Sequence, residues 1–118
     1  NFSKLPEVFL LYNFIIFVIM KRLNINIHDL KVLCQQHSVD QLYLFGSVLN
    51  KNFTDESDID FLVKFPPIDL FHYFENYLSL KENLERLTGR NVDLVEVQTL
   101  KNTFLIDSIN KNKELIYG

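Results

Sequence analysis

The sequence predicts a single-domain α/β fold, a mixed β-sheet flanked by helices. Three observations lead there. Apolar residues recur at helical and at strand spacing in segments that alternate along the chain. A length of 118 residues suits one domain with a core of its own. Hydrophobic residues at 47% against 23% charged exclude a disordered protein. Twelve basic against fifteen acidic side chains give a formal charge of -3, which leaves no cationic surplus to grip a nucleic-acid backbone. The one cysteine, Cys34, has no internal disulfide partner and no accompanying Cys/His ligand set, which suits a reducing cytoplasm.

Residues 1–19 differ from all that follows. From Val8 to Met20 only Asn13 interrupts the apolar run, yet these thirteen residues fall short of the roughly 20 that cross a bilayer. No membrane span is expected, and no small-residue cleavage site marks a secretory signal. Met20-Lys21-Arg22-Leu23 reads like a conventional start. The expectation is an upstream extension over 1–19 and a domain over 20–118. The alternative is a genuine N-terminal element that covers an apolar surface or makes a dimer contact.

From Asn26 the pattern is orderly. Asn26 can cap a helix on which Ile27, Leu30, Leu33, Cys34 and His37 recur at helical spacing. Gln41 to Phe45 reads as a short buried strand closed by Gly46-Ser47, and Asp58 to Phe65 as a second strand that Pro66-Pro67 stops. Asp69 caps the longest helix, whose stripe of Leu70, Tyr73, Tyr77, Leu80, Leu84 and Leu87 ends at Gly89. Phe71, Phe74 and Leu78 widen that stripe beyond a coiled-coil seam. A strand over Asn91 to Val97, a helix around Leu100 to Ile109 and a terminal segment from Glu114 to Tyr117 complete the chain.

The chemistry concentrates in Gly46-Ser47, ten residues, then Asp58-Ile59-Asp60. Alone, a Gly-Ser pair marks a turn and an Asp-x-Asp a solvated pair. Together, at this spacing, they occur by chance in on the order of one chain in a thousand. Side chains two apart on a strand share a face, so Asp58 and Asp60 project together while Ile59 and Phe61 anchor the other side. Two carboxylates that close repel unless a cation joins them, and hard magnesium with substrate phosphates suits the pair. Ser47 is expected at the start of a short helix, where free amides and its hydroxyl receive a phosphate, and Gly46 clears the approach.

Asp93, in the apolar strand Val92-Asp93-Leu94-Val95, is a third candidate acid; a charge there is costly unless paired or bound to metal. An edge aspartate facing water is the alternative. Glu96 falls on the side of Val92 and Leu94 by alternation and is expected to be solvent-exposed at the strand end. His28, His37 and His72 are expected on helix surfaces or half-buried, and Cys34 as a small apolar side chain. Arg90 reads as a surface arginine, with a phosphate or partner contact as the alternative.

Gly46-Ser47, Asp58-Ile59-Asp60 and Val92-Asp93-Leu94-Val95, with Lys113-Glu114-Leu115-Ile116-Tyr117-Gly118 at the end, resemble the minimal nucleotidyltransferases of the DNA polymerase β superfamily. The resemblance covers about Ile27 to Gly118. It implies the nucleotidyltransferase fold, a triphosphate held by Gly46 and Ser47, and two magnesium ions held by Asp58, Asp60 and Asp93. It further implies ATP as donor, AMP as the transferred group, and a tyrosine of a helical HEPN toxin as acceptor, the chain serving as antitoxin. Many relatives carry an arginine after Gly-Ser, where this chain has Val48-Leu49-Asn50-Lys51. Either Lys51 replaces that charge or triphosphate affinity is lower. A non-catalytic toxin-binding module and a small-molecule, aminoglycoside-type transferase acting as a homodimer are the rival readings.

Overall fold

The computed structural model describes residues 7–118, so the first six positions of the N-terminal segment lie outside the described residues. Four helices and four strands follow in the order α1 (Glu7–Leu23), α2 (Ile27–Gln36), β1 (Gln41–Phe45), β2 (Ile59–Lys64), α3 (Leu70–Thr88), β3 (Val92–Glu96), α4 (Thr103–Asn112) and β4 (Glu114–Tyr117). This is the expected mixed α/β architecture.

Side chains written in the sequence set the helix ends. Asn26 accepts from the His28 and Asp29 amides at 2.9 and 3.2 Å and starts α2. Asp69 accepts from the His72 amide at 3.1 Å and starts α3, and Gly89, at φ 67°, closes it in the left-handed region. The helix expected from Leu100 begins instead at Thr103, because Asn102 accepts from the Phe104 and Leu105 amides. The residues before it, Val97–Thr99, form a single 3-10 turn.

The strands form one sheet in the order β3-β2-β1-β4. β1 runs antiparallel to both β2 and β4, while β2 and β3 run parallel and are joined through α3. Parallel pairing needs such a long crossover. One sheet face carries Leu42, Leu44, Ile59, Phe61, Val63, Val92 and Leu94, all buried against Leu30, Leu33 and Cys34 of α2 and Leu80 and Leu84 of α3. The opposite face carries the alternate residues, including Asp60 and Asp93, and is only partly covered.

Helix α1 runs unbroken across residue 19, with Ile19, Met20 and Leu23 buried in the core and Ile15 and Ile16 packed against it. Its other side exposes Leu10, Leu11, Phe14 and Phe17. No helix among the described residues is long and apolar enough to cross a membrane.

Cys34 is fully buried, as expected of a small apolar side chain, and burial pushes its thiol up to about 12. His28 and His72 are exposed. His37 is not at the surface: it is buried, its Nδ1 donating to the Leu33 carbonyl at 2.8 Å and its Nε2 bonded to Ser79 Oγ at 2.8 Å. It is a satisfied core histidine that ties α2 to α3, because the turn after α2 folds its ring back under α3.

Candidate active site

The site is built where β1 ends. Phe45 passes into the 3-10 turn Gly46–Leu49, whose first amides no side chain caps. The short helix expected here is this one turn, so its hydrogen-bonding groups rather than a helix dipole are available. Gly46 sits at φ 76°, and a Cβ built on it would lie 2.2 Å from Asp60 Oδ2. The turn and the aspartate strand are therefore in van der Waals contact through a position that only glycine fills.

Asp60 opposes Phe45 on β1 and Asp93 on β3 in the strand register. It is half-buried, and burial together with the charges of Asp93 and Asp58 pushes its carboxyl up to about 6. Asp58, just outside the first residue of β2, and Asp93, on the sheet edge, are exposed. Tyr77 of α3 donates its hydroxyl to the Leu94 carbonyl. Burial, and secondarily the Asp93 charge, raises its phenol above the usual range. Lys51 stands exposed in the loop beyond the turn.

Excess negative charge on one sheet face is what a hard divalent cation relieves. Among the described residues no three His, Cys, Asp or Glu side chains stand so as to hold a metal by themselves. Magnesium asks for less, one or two carboxylates completed by substrate phosphate oxygens. Asp60 beside the Gly46 turn fits that requirement, with Asp58 and Asp93 within electrostatic reach.

Glu96 corrects the expectation of an exposed strand end. It is 4% exposed and its Oε2 accepts from the Gln98 amide at 2.7 Å. It lies on the core side with Val92 and Leu94, and the chain curls over it into the Val97–Thr99 turn. Arg90 is not a free surface side chain. It donates to the Thr54 and Ser57 carbonyls at 2.8 and 3.0 Å and lies over the Phe53 ring.

Sequence reasoning missed Arg22. From α1 it donates to the Val48, Asn50 and Phe53 carbonyls at 3.2–3.3 Å, and it too packs on Phe53. The stretch after Gly-Ser that lacks its own arginine thus receives one from α1. A separation of 26 residues between Arg22 and Val48 leaves no local pattern to find it by. A cleft of about 890 Å³ opens between α1, the Gly46 turn and α4, but none of the three aspartates lines it. Gly46 of the turn does line it, so the cleft and the carboxylate face meet at that glycine.

A glycine turn pressed on an aspartate strand, with a third carboxylate in register on the neighbouring parallel strand, is the arrangement that the resemblance to nucleotidyltransferases leads one to expect. The chain belongs to the family described as "Polymerase beta, Nucleotidyltransferase", whose sequence model matches residues 28–118. A Methanocaldococcus jannaschii protein, MJ1379, whose name assigns it provisionally as a protein adenylyltransferase, is 37% identical over 87 residues, 74% of this chain and 84% of its own. Among solved structures, one described provisionally as a minimal nucleotidyltransferase superposes with a TM-score of 0.63 at 26% identity, covering 83% of this chain and 92% of its own. A structure of the MntA toxin–antitoxin pair superposes with a TM-score of 0.55 at 26% identity, covering 74% of this chain and 68% of its own.

Proposed function

We propose that this chain transfers AMP from ATP to a hydroxyl of a partner protein, a tyrosine of a helical HEPN-type toxin, and so acts as the antitoxin of a pair in the cytoplasm. The observation that carries this reading is the placement of Asp93. It stands exposed on the edge strand, in register with Asp60, and α3, whose Phe74 lines a shallow pocket with Val95 at that edge, leaves Leu70, Phe71, Phe74 and Leu78 48–85% exposed. Such an apolar face suits a protein acceptor better than a small polar one. The adenylyltransferase name of the archaeal relative and the toxin–antitoxin assembly of the MntA structure point the same way.

In this reading Gly46 admits the triphosphate to the turn and the Ser47 hydroxyl and amides hold it. Lys51 supplies further positive charge. Asp58, Asp60 and Asp93 are the residues that hold magnesium, which when bound neutralises phosphate charge and lowers the pKa of an acceptor hydroxyl. The acceptor hydroxyl approaches from the side of Asp93, gives up its proton to solvent and forms a bond from its oxygen to the α-phosphorus; the bond to the bridging oxygen breaks in line and pyrophosphate departs. In this reading the acceptor is bound by the exposed apolar face of α3 and the β3 edge.

Incubation with α-labelled ATP, magnesium and the helical product of the neighbouring gene is expected to label that product, and Asp58→Asn to abolish the label. Label on tRNA or on an aminoglycoside, with none on protein, overturns the reading.

A further inference from the structure

The ten residues between Ser47 and Asp58 are tied down from two distant parts of the chain. Arg22 of α1 donates to the carbonyls of Val48, Asn50 and Phe53, and Arg90, between α3 and β3, to those of Thr54 and Ser57. Both guanidinium groups pack on one ring: Arg22 Cζ lies 4.8 Å and Arg90 Cζ 4.3 Å from the centre of Phe53, itself buried in the core. Local bonds stiffen the rest of the segment. The Asn50 amide donates to the Ser47 carbonyl at 3.0 Å, and the Thr54 amide to Ser57 Oγ at 2.9 Å.

Neither arginine is in an ion pair; among the described residues the one salt bridge is between His72 and Asp69. Their charge is spent on backbone oxygens and an aromatic face, for which the planar five-donor fork of arginine is suited and the single ammonium of lysine is not. What these bonds connect gives them their consequence. One end of the segment is the turn of Gly46 and Ser47, and the other is the aspartate strand that this turn touches through Gly46 and Asp60.

We propose that Arg22 and Arg90, clasping Phe53 between them, are positioning residues that hold the phosphate-binding turn at its working distance from Asp58 and Asp60. The proposal rests on the nucleotide-site half of the reading above and not on the identity of the acceptor. It makes α1 part of the active-site scaffold, since the hold on Val48 and Asn50 comes from that helix.

The test uses the full chain with Arg22→Lys, Arg90→Lys and the double variant, which keep positive charge and remove the fork. MgATP affinity is measured by calorimetry, amide hydrogen exchange over residues 48–57 by mass spectrometry, and folding by the thermal midpoint. Each single variant is expected to weaken MgATP binding by roughly tenfold, since misplacement of a site by about 1 Å carries penalties of this order or larger. Exchange in 48–57 accelerates while the midpoint stays within a few degrees. The double variant loses less than the product of the two single losses, because both arginines act through Phe53. Lysine variants that bind MgATP within twofold of the parent chain, or that lose affinity with no change in exchange, overturn the proposal; the first result would mean that charge alone is needed. Should a lysine variant fail to fold, Phe53→Leu, which keeps an apolar side chain and removes the ring, is read by the same two criteria.

Discussion

Gly46 and Asp60 touch: a single added carbon on the glycine would lie 2.2 Å from the aspartate's Oδ2. That contact welds the turn after β1 to the strand that carries the acids. Gly46→Ala is expected to destabilise the fold by roughly 1–2 kcal/mol from the left-handed backbone alone. It should also cut transfer about a hundredfold by displacing Asp60. Thermal unfolding and single-turnover labelling measure the two effects separately, and activity within threefold of the parent would contradict the contact.

The raised carboxyl of Asp60 makes stability depend on pH in the metal-free protein. Its folded-state value of about 6 lies above the ordinary 3.8, so between the two the native state binds more protons than the unfolded one. Stability therefore falls as pH rises from about 4 to 6 and stays low above that. Asp60→Asn removes the penalty. In chelator at pH 7.5 the variant is expected to be more stable by about 1 kcal/mol, a figure discounted for solvent screening at this half-open site. At pH 4 the two proteins should unfold together.

Magnesium with ATP should reverse the same penalty by supplying the missing positive charge. At a hundredfold excess over the dissociation constant the gain is about 2.7 kcal/mol. Asp58→Asn combined with Asp60→Asn should leave ATP and magnesium without effect on the melting curve. An unchanged shift in that double variant would move the metal elsewhere.

Ser47 and Asp93 should separate binding from turnover. Ser47→Ala is expected to raise KM for ATP by loosening the triphosphate. Asp93→Asn, at the exposed edge where the proposed acceptor would arrive, should lower kcat with nucleotide affinity largely kept. Equal losses of affinity in both would merge the two roles.

Phe71 and Phe74, 84% and 67% exposed, give the proposed docking surface its own test. Phe71→Glu with Phe74→Glu should leave the thermal midpoint and ATP binding unchanged, because neither side chain is in the core. Transfer to the protein acceptor should drop at least tenfold, read as labelled product at fixed enzyme concentration.

The sequence by itself determined the order of elements from α2 to α4 and the local parts of the candidate site, whereas α1 lies largely in the segment that reads as an extension and β4 reads only as a terminal segment. Asn26, Asp69 and Gly89 act on backbone groups within a few residues of themselves, so their caps could be read directly. Gly46-Ser47 and Asp58-Ile59-Asp60 were legible for the same reason, since turn geometry and strand alternation are short-range. Only the tertiary structure decided what stands opposite what. The parallel register brings Asp93 level with Asp60, the curl after β3 buries Glu96, and the fold of α2 on α3 buries His37. Arg22 reaches Val48 across 26 residues, and Arg90 reaches Thr54 across 36. These pairings depend on how helices and strands pack once the chain has closed, and no periodicity within a single element carries that information.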